Sequence, residues 1–402
     1  MKKLFQTKYL TMLCFLVLLA IMFQQGMSPV CSSVVKAARV FRNTGEIDTS
    51  IIEKPFDNNF EGKNFFITLN GAYQNLMGAR EVNKRYKLDN GHLTYVIGSY
   101  NMEEIAQNTI EFRDALSALH IPMVYVNTPF KIHQTDKQLP ENILDYSNEN
   151  ANIFLEHLRK ENVTTLDLRE NIVEDNLDHY NMFYKTDHHW KAEAGLWAAG
   201  EISAFLSALD DDYSVEETIL NPSSYTYEVH ENIFLGSAGR RVGRLYAGMD
   251  DFTVITPNFE TKLSFSAENG PVHREGSFSD VFIVRDALYP DDPLTSNVYS
   301  TYCGSSFSQM ELRNHGTESG PSCTPKKLLL IRDSFSDVLI PFLSLGYEQL
   351  DVLDLRTFEG NLMDYIERSC PDMVLVVYNP GAYENNNLIM FDFLDPTENT
   401  SS

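Results

Sequence analysis

The chain has 402 residues, 43% hydrophobic and 22% charged, an ordinary globular composition rather than that of a disordered segment. Its 32 Lys+Arg stand against 56 Asp+Glu, a formal net charge of -24. Such a surface repels phosphate backbones, which argues against nucleic acid and anionic membrane surfaces as partners.

Lys2, Lys3 and Lys8 precede an apolar run from Tyr9 to Phe23, which Gln24-Gln25 closes. A basic head followed by roughly 7–15 apolar residues is the pattern of a secretory signal. The run is short of the roughly 20 residues of a comfortable membrane span. Residues 1–31 therefore read as a signal peptide or an N-terminal anchor, and the protein as secreted or extracytoplasmic. Residues 32–60 read as a polar linker, 61–393 as one large domain and 394–402 as a tail.

Within the domain, short apolar runs alternate with helical patterns. Thr94–Gly98 is strand-like, Met102–His120 helix-like, Met123–Val126 a strand, Asn150–Glu161 a helix and Thr165–Leu168 a strand. Ala, Leu, Trp and Phe at helical spacing predict a helix over Lys191–Leu209. Strands alternating with helices imply βαβ units and a mostly parallel sheet, hence an α/β fold. From about 210 to 325 the texture changes to Gly, Ser, Thr, Tyr and Asp, with alternating runs at Phe252–Ile255, Lys262–Phe265 and Val281–Val284. This segment reads as a β-rich insertion. Cys303 and Cys323 flank a Gly/Ser-rich stretch within it, and a disulfide or two free thiols both fit. No CxxC or Cys/His spacing points to a metal. The α/β pattern resumes with a strand at Lys327–Ile331, another at Leu350–Leu353, a helix at Asn361–Ser369 and a strand at Met373–Tyr378.

In open parallel sheets, ligands bind beyond the carboxyl ends of the strands. Ser334, Arg356 and Asn379 all fall at such ends. A serine at a strand-to-helix turn exposes its hydroxyl, and its own N–H at the helix start can stabilise an oxyanion. Alone, Asp333-Ser334 reads equally as a helix cap. Asp187 and His189 supply the partners, because a carboxylate two residues away can reach the near imidazole nitrogen. That contact fixes the tautomer and frees the other nitrogen as a base, the arrangement that activates a nucleophile. His188 reads as a structural histidine pointing the other way, and Trp190 as packing rather than a sugar platform. The Asn379 side chain either donates to the oxyanion or only forms an Asn-Pro turn. Arg356 is a substrate candidate or one half of a surface ion pair. Lys131, in Thr128-Pro129-Phe130-Lys131, either lines the site or is a solvated loop lysine.

Two stretches carry a resemblance: Phe183-Tyr184-Lys185-Thr186-Asp187-His188-His189-Trp190 and Leu328-Leu329-Leu330-Ile331-Arg332-Asp333-Ser334-Phe335. With Asp354-Leu355-Arg356 and Val376-Val377-Tyr378-Asn379, they resemble the DHHW-motif protein family, itself SGNH hydrolase-like and similar to the alginate O-acetyltransferase domains. The resemblance implies an SGNH-hydrolase-like three-layer sandwich with a parallel sheet and a circularly permuted motif order, the Asp-x-His pair preceding the Ser. It further implies Ser334 as nucleophile, His189 as base and Asp187 as its orienter. Arg332 stands where SGNH hydrolases have Gly.

The expected function is serine-dependent acyl transfer, of O-acetyl groups above all, or ester hydrolysis on a cell-surface or extracellular polysaccharide. No cofactor or metal is needed, and a membrane protein is the expected source of acyl groups. Two other classes compete: a non-catalytic glycan-binding or assembly protein of the cell surface, and a metal phosphoesterase suggested by Asp187-His188-His189. The latter needs further strand-end aspartates in motifs absent from this sequence.

Overall fold

The structure, a computed structural model, describes residues 63–268 and 270–385, with positions 12–13, 15–17, 36, 38–42, 388 and 391. Most of the expected signal and linker, and the 394–402 tail, lie outside the described residues. Residues 12–13, 15–17, 36 and 38–42 are helical. Among the described residues no helix is long and apolar enough to cross a membrane. The chain divides into two units, 1–78 and 79–402. The first contains helix α1 (Lys63–Leu76).

The second unit begins with a small antiparallel sheet of β1 (Glu81–Val82), β2 (Arg85–Lys87) and β3 (Leu93–Thr94). The strand expected over Thr94–Gly98 is thus confined to its first residue. Beyond it the backbone turns to side chains, with Ile97 N–H donating to Asp145 Oδ1 at 2.9 Å. There follow α2 (Met102–Ala118), β4 (Met123–Asn127), α3 (Ser147–Lys160), β5 (Thr164–Asp167), α4 (Leu168–Glu174) and α5 (Ala192–Leu209). All but α4, which was not expected, lie within three residues of their expected spans. The 210–325 segment holds β6 (Tyr225–Phe234), α6 (Ser237–Val242), β7 (Asp250–Pro257), β8 (Leu263–Ala267), β9 (Val272–Gly276), α7 (Phe278–Phe282) and β10 (Gln309–Asn314). The alternation at Val281–Val284 misled: Ser277 and Asp280 form a capping box that starts α7 there instead. The chain ends in β11 (Thr324–Arg332), α8 (Ile340–Gly346), β12 (Tyr347–Leu353), α9 (Leu362–Ser369) and β13 (Met373–Tyr378).

Eight strands make one sheet in the order β5-β4-β13-β11-β12-β10-β8-β9. The first five are parallel neighbours, and the last three join antiparallel. The insertion therefore extends the sheet at one edge, while β6 and β7 form a separate two-stranded ribbon. Successive strand residues face opposite ways, and β11 shows this in its packing. Leu328 and Leu330 enter a core with Ile202 and Leu206 of α5 and Phe342 of α8. Leu329 and Ile331 enter another with Phe112 of α2, Phe154 of α3 and Ile366 of α9. Two helical layers cover the sheet, the expected three-layer sandwich. Because β11 is buried on both faces, its sequence reads as an unbroken apolar run.

Candidate active site

β11 ends at Arg332, and Asp333 caps the 3-10 turn Ser334–Val338 by accepting the Phe335 N–H at 2.9 Å. Ser334 is the first residue of that turn, where a backbone N–H has no intrahelical acceptor. The other Asp333 oxygen accepts the Asn379 N–H at 2.7 Å, tying the ends of β11 and β13 together. Burial pushes the Asp333 carboxyl up, against the pull of those two N–H donors.

The second motif is a tight loop closed by a bridge between Phe183 and Trp190. Asp250, at the start of β7, holds it from below, accepting from Lys185 N–H, Thr186 N–H and the Thr186 hydroxyl at 2.8, 2.7 and 2.6 Å. Trp190 is fully buried, and its indole N–H donates to Phe335 O at 2.7 Å. That bond joins the loop directly to the Ser334 turn. Gly195, in the first turns of α5, permits a second close approach, since a Cβ there would overlap Val338 O.

These supports bring three distant side chains into one hydrogen-bonded line. Ser334 Oγ lies 2.8 Å from His189 Nε2. His189 Nδ1 lies 2.5 Å from Asp187 Oδ1, which also accepts the His189 N–H at 2.9 Å. The second Asp187 oxygen accepts the N–H of Ser237 at the start of α6. Burial alone would raise the Asp187 pKa. His189 and His188, with hydrogen bonds from His189 and Ser237, outweigh it and hold this carboxylate well below its ordinary range. With the Nδ1 proton directed to Asp187, Nε2 is the nitrogen that faces the serine hydroxyl.

The other expected residues are placed as follows. His188 Nδ1 pairs with Ser237 Oγ at 2.7 Å, a structural contact; burial and the adjacent His189 push its pKa down to about 3. Lys131 does not meet solvent, which corrects the reading of it as a solvated loop lysine. It is buried, and its ammonium donates to the carbonyls of Leu93, Lys185 and Asp187. Burial lowers its pKa to about 8. Asn379 donates one amide N–H to Pro129 O at 2.7 Å and accepts from Gly381 N–H at 3.0 Å, so its side chain does build the turn. Arg356 grips Asp354 with Nε and Nη2 at 2.8 and 2.6 Å. Arg332, wholly buried, reaches Asp337 at 2.9 Å and Asp354 at 3.5 Å, anchoring the Ser334 turn from inside.

Ligand atoms of Asp187, His188 and His189 lie within 4.8 Å of one another. The hydrogen bonds just described engage Asp187 with His189 and Ser237, His188 with Ser237, and His189 with Ser334. Cys303 and Cys323 are free thiols. The sequence reading missed Ser237 and Asp250, and it gave no role to Tyr299, whose segment Asn297-Val298-Tyr299 is family-like and whose ring stacks on His189 at 4.3 Å. No local pattern marks these roles, because each acts across a tertiary contact.

Residues 92–227 match the family described as SGNH hydrolase-like domain, acetyltransferase AlgX. Over that stretch the chain is similar to an SGNH hydrolase-like domain. The matched stretch includes Asp187–Trp190, whereas Ser334 and Asn379 lie beyond it. No curated protein sequence matches significantly. Among solved structures, Bacillus cereus PatB1 with a sulfonyl adduct is 22% identical, over 76% of this chain and 98% of that one, with a TM-score of 0.60. A further PatB1 structure is 21% identical over 78% and 98%, also at 0.60. A DHHW family protein from Eubacterium siraeum DSM 15702 is 19% identical over 77% and 95%, at 0.57. At these identities the likeness is one of fold.

Proposed function

We propose that the protein is an exported, serine-dependent O-acyltransferase or esterase, with O-acetyl the acyl group, acting on a cell-surface or extracellular polysaccharide through Ser334, His189 and Asp187. The observation that carries this reading is the Ser334 Oγ to His189 Nε2 distance of 2.8 Å, with Asp187 on the far nitrogen. That reach is what proton transfer demands. Export rests on the basic head and apolar run of the N-terminus.

Ser334 Oγ attacks the acyl carbonyl carbon while His189 Nε2 takes the hydroxyl proton. The resulting oxyanion is met by the Ser334 N–H and by the second amide N–H of Asn379. The tetrahedral centre collapses, the leaving group receives the proton from His189, and acyl-Ser334 remains. A sugar hydroxyl then gives its proton to His189 as its oxygen attacks, which releases the acylated glycan and free Ser334. Water in place of the sugar gives hydrolysis. A membrane protein that delivers activated acyl groups is the partner such a transferase requires.

The test is labelling by a sulfonyl fluoride, a reagent class suited to an activated serine, alongside cleavage of an activated acetyl ester. Ser334→Ala is expected to lose the covalent adduct and to cut ester turnover by roughly 10⁴-fold or more. Equal rates above background in the two proteins remove Ser334 as nucleophile. Absence of any adduct on folded wild-type protein favours the glycan-binding reading instead.

A further inference from the structure

Two in-plane hydrogen bonds fix both nitrogens of His189 but leave the imidazole free to rock about the line joining them. What stops that motion is the packing on its faces. The Tyr299 ring lies against the imidazole with centroids 4.3 Å apart and planes 11° from parallel. The His188 ring stands 3.7 Å away at 38°, and Phe335 at 5.3 Å and 57°. Tyr299 is the one near-parallel plane among them. It is 4% exposed, and its hydroxyl is buried with no hydrogen-bond partner. A buried tyrosine whose hydroxyl goes unpaired gives up stability there, so its contribution lies in its ring.

The route by which Tyr299 arrives strengthens the case. It sits in the 3-10 turn Val298–Thr301, about 110 residues beyond His189 in sequence. Just before that turn, Ser296 O accepts from Arg240 Nη1 at 2.5 Å. Arg240 belongs to α6, whose first residue, Ser237, donates to Asp187 and pairs with His188. One short helix therefore orients the carboxylate and anchors the turn that carries the ring. Tyr184, itself buried, meets Tyr299 edge-on at 6.3 Å and 88°. Burial holds the Tyr299 phenol well above its ordinary pKa, so the ring is neutral.

We infer that Tyr299 is a positioning residue: its stacked ring locks the plane of His189 so that Nε2 stays in line with Ser334 Oγ, and the 210–325 segment thereby completes the catalytic apparatus. The inference rests on the proposed role of Ser334 and His189. A neutral π-face over the imidazole also favours the imidazolium that forms when the serine proton is taken.

The test compares wild type with Tyr299→Phe, which keeps the ring, and Tyr299→Leu, which removes it. Tyr299→Met, a flexible side chain of similar reach, replaces Leu if the latter does not fold. Two readouts are taken: the rate of Ser334 labelling by a sulfonyl fluoride, and the downfield proton NMR signal of the short His189 Nδ1 to Asp187 hydrogen bond. Tyr299→Phe is expected to keep the signal and to label within about twofold of wild type. Tyr299→Leu is expected to label on the order of tenfold more slowly, the scale of a small misplacement of a reacting group, and to broaden or lose the signal. Retention of both in Tyr299→Leu overturns the inference, as does a Phe variant as impaired as Leu. Slow labelling with an intact downfield proton also overturns it, because the loss is then not one of imidazole order. If wild type shows the signal, Phe keeps it and Leu loses it, but no protein labels, the stack stands and the proposed chemistry falls.

Discussion

Asp187 does two jobs through its two oxygens, one toward His189 and one toward the Ser237 N–H. Replacing it by Asn keeps the shape but presents an amide N–H where the imidazole needs an acceptor, which selects the wrong tautomer. Asp187→Asn is expected to slow Ser334 labelling by on the order of 10³–10⁴-fold while the protein stays folded. A loss under tenfold removes Asp187 as the orienter. Lys131 shows the opposite economy, a charge used for structure. Its three carbonyl partners lie on β3 and on the histidine loop, so Lys131→Met strands buried acceptors. An expected loss of about 1–3 kcal/mol, read from urea unfolding, measures that role. An unchanged midpoint shows that the carbonyls find other partners.

At the level of elements, the histidine loop is held by contacts too close for side chains. A Cβ on Gly236 would overlap Asp187 itself, and one on Gly195 would overlap Val338 O in the Ser334 turn. Gly200, also in α5, has open space around it. The two α5 glycines therefore predict opposite signs in one helix. Gly195→Ala is expected to destabilise by about 1–3 kcal/mol, the range for overpacking. Gly200→Ala is expected to stabilise by roughly 0.5–1 kcal/mol, because the unfolded chain loses freedom and nothing clashes. Thermal unfolding of both variants decides it, and equal effects contradict the packing argument. Gly236→Ala adds a functional readout, since moving the start of α6 disturbs Asp187 as well as stability.

Across the whole molecule, several buried or half-buried histidines are held neutral. His92 and His188 are pushed to about 3 and His179 to about 4, in each case by burial first. Their unfolded values lie near 6.5, so between about 6.5 and 4 the unfolded chain binds more protons than the folded one. Stability from these groups is complete above pH 6.5 and falls as the solution is acidified. Asp145 and Asp333, raised by burial, act with the opposite sign. The prediction is therefore differential: between pH 7 and 5 the urea midpoint of wild type falls more steeply than that of His92→Gln. Parallel slopes rule out His92 as a contributor.

Sequence alone determined the alternation of strands and helices, and with it a mostly parallel sheet; the three-layer sandwich was what the DHHW resemblance implied. Burial of β11 and β13 on both faces leaves a continuous apolar signature, and the helices show their period of 3.6. Asp187, His189 and Ser334 were also legible, because their types, their strand-end setting and the DHHW resemblance are local features. Only the tertiary structure decided which groups surround them. The 210–325 segment read as an insertion, yet it contributes Ser237, Asp250 and Tyr299 to the back of the site and three strands to the sheet. Lys131 read as lining the site or as solvated, and it proved to be buried. Spacing along the chain records a periodicity or a two-residue reach, whereas a stacked ring or a shared carbonyl depends on where distant backbone segments meet.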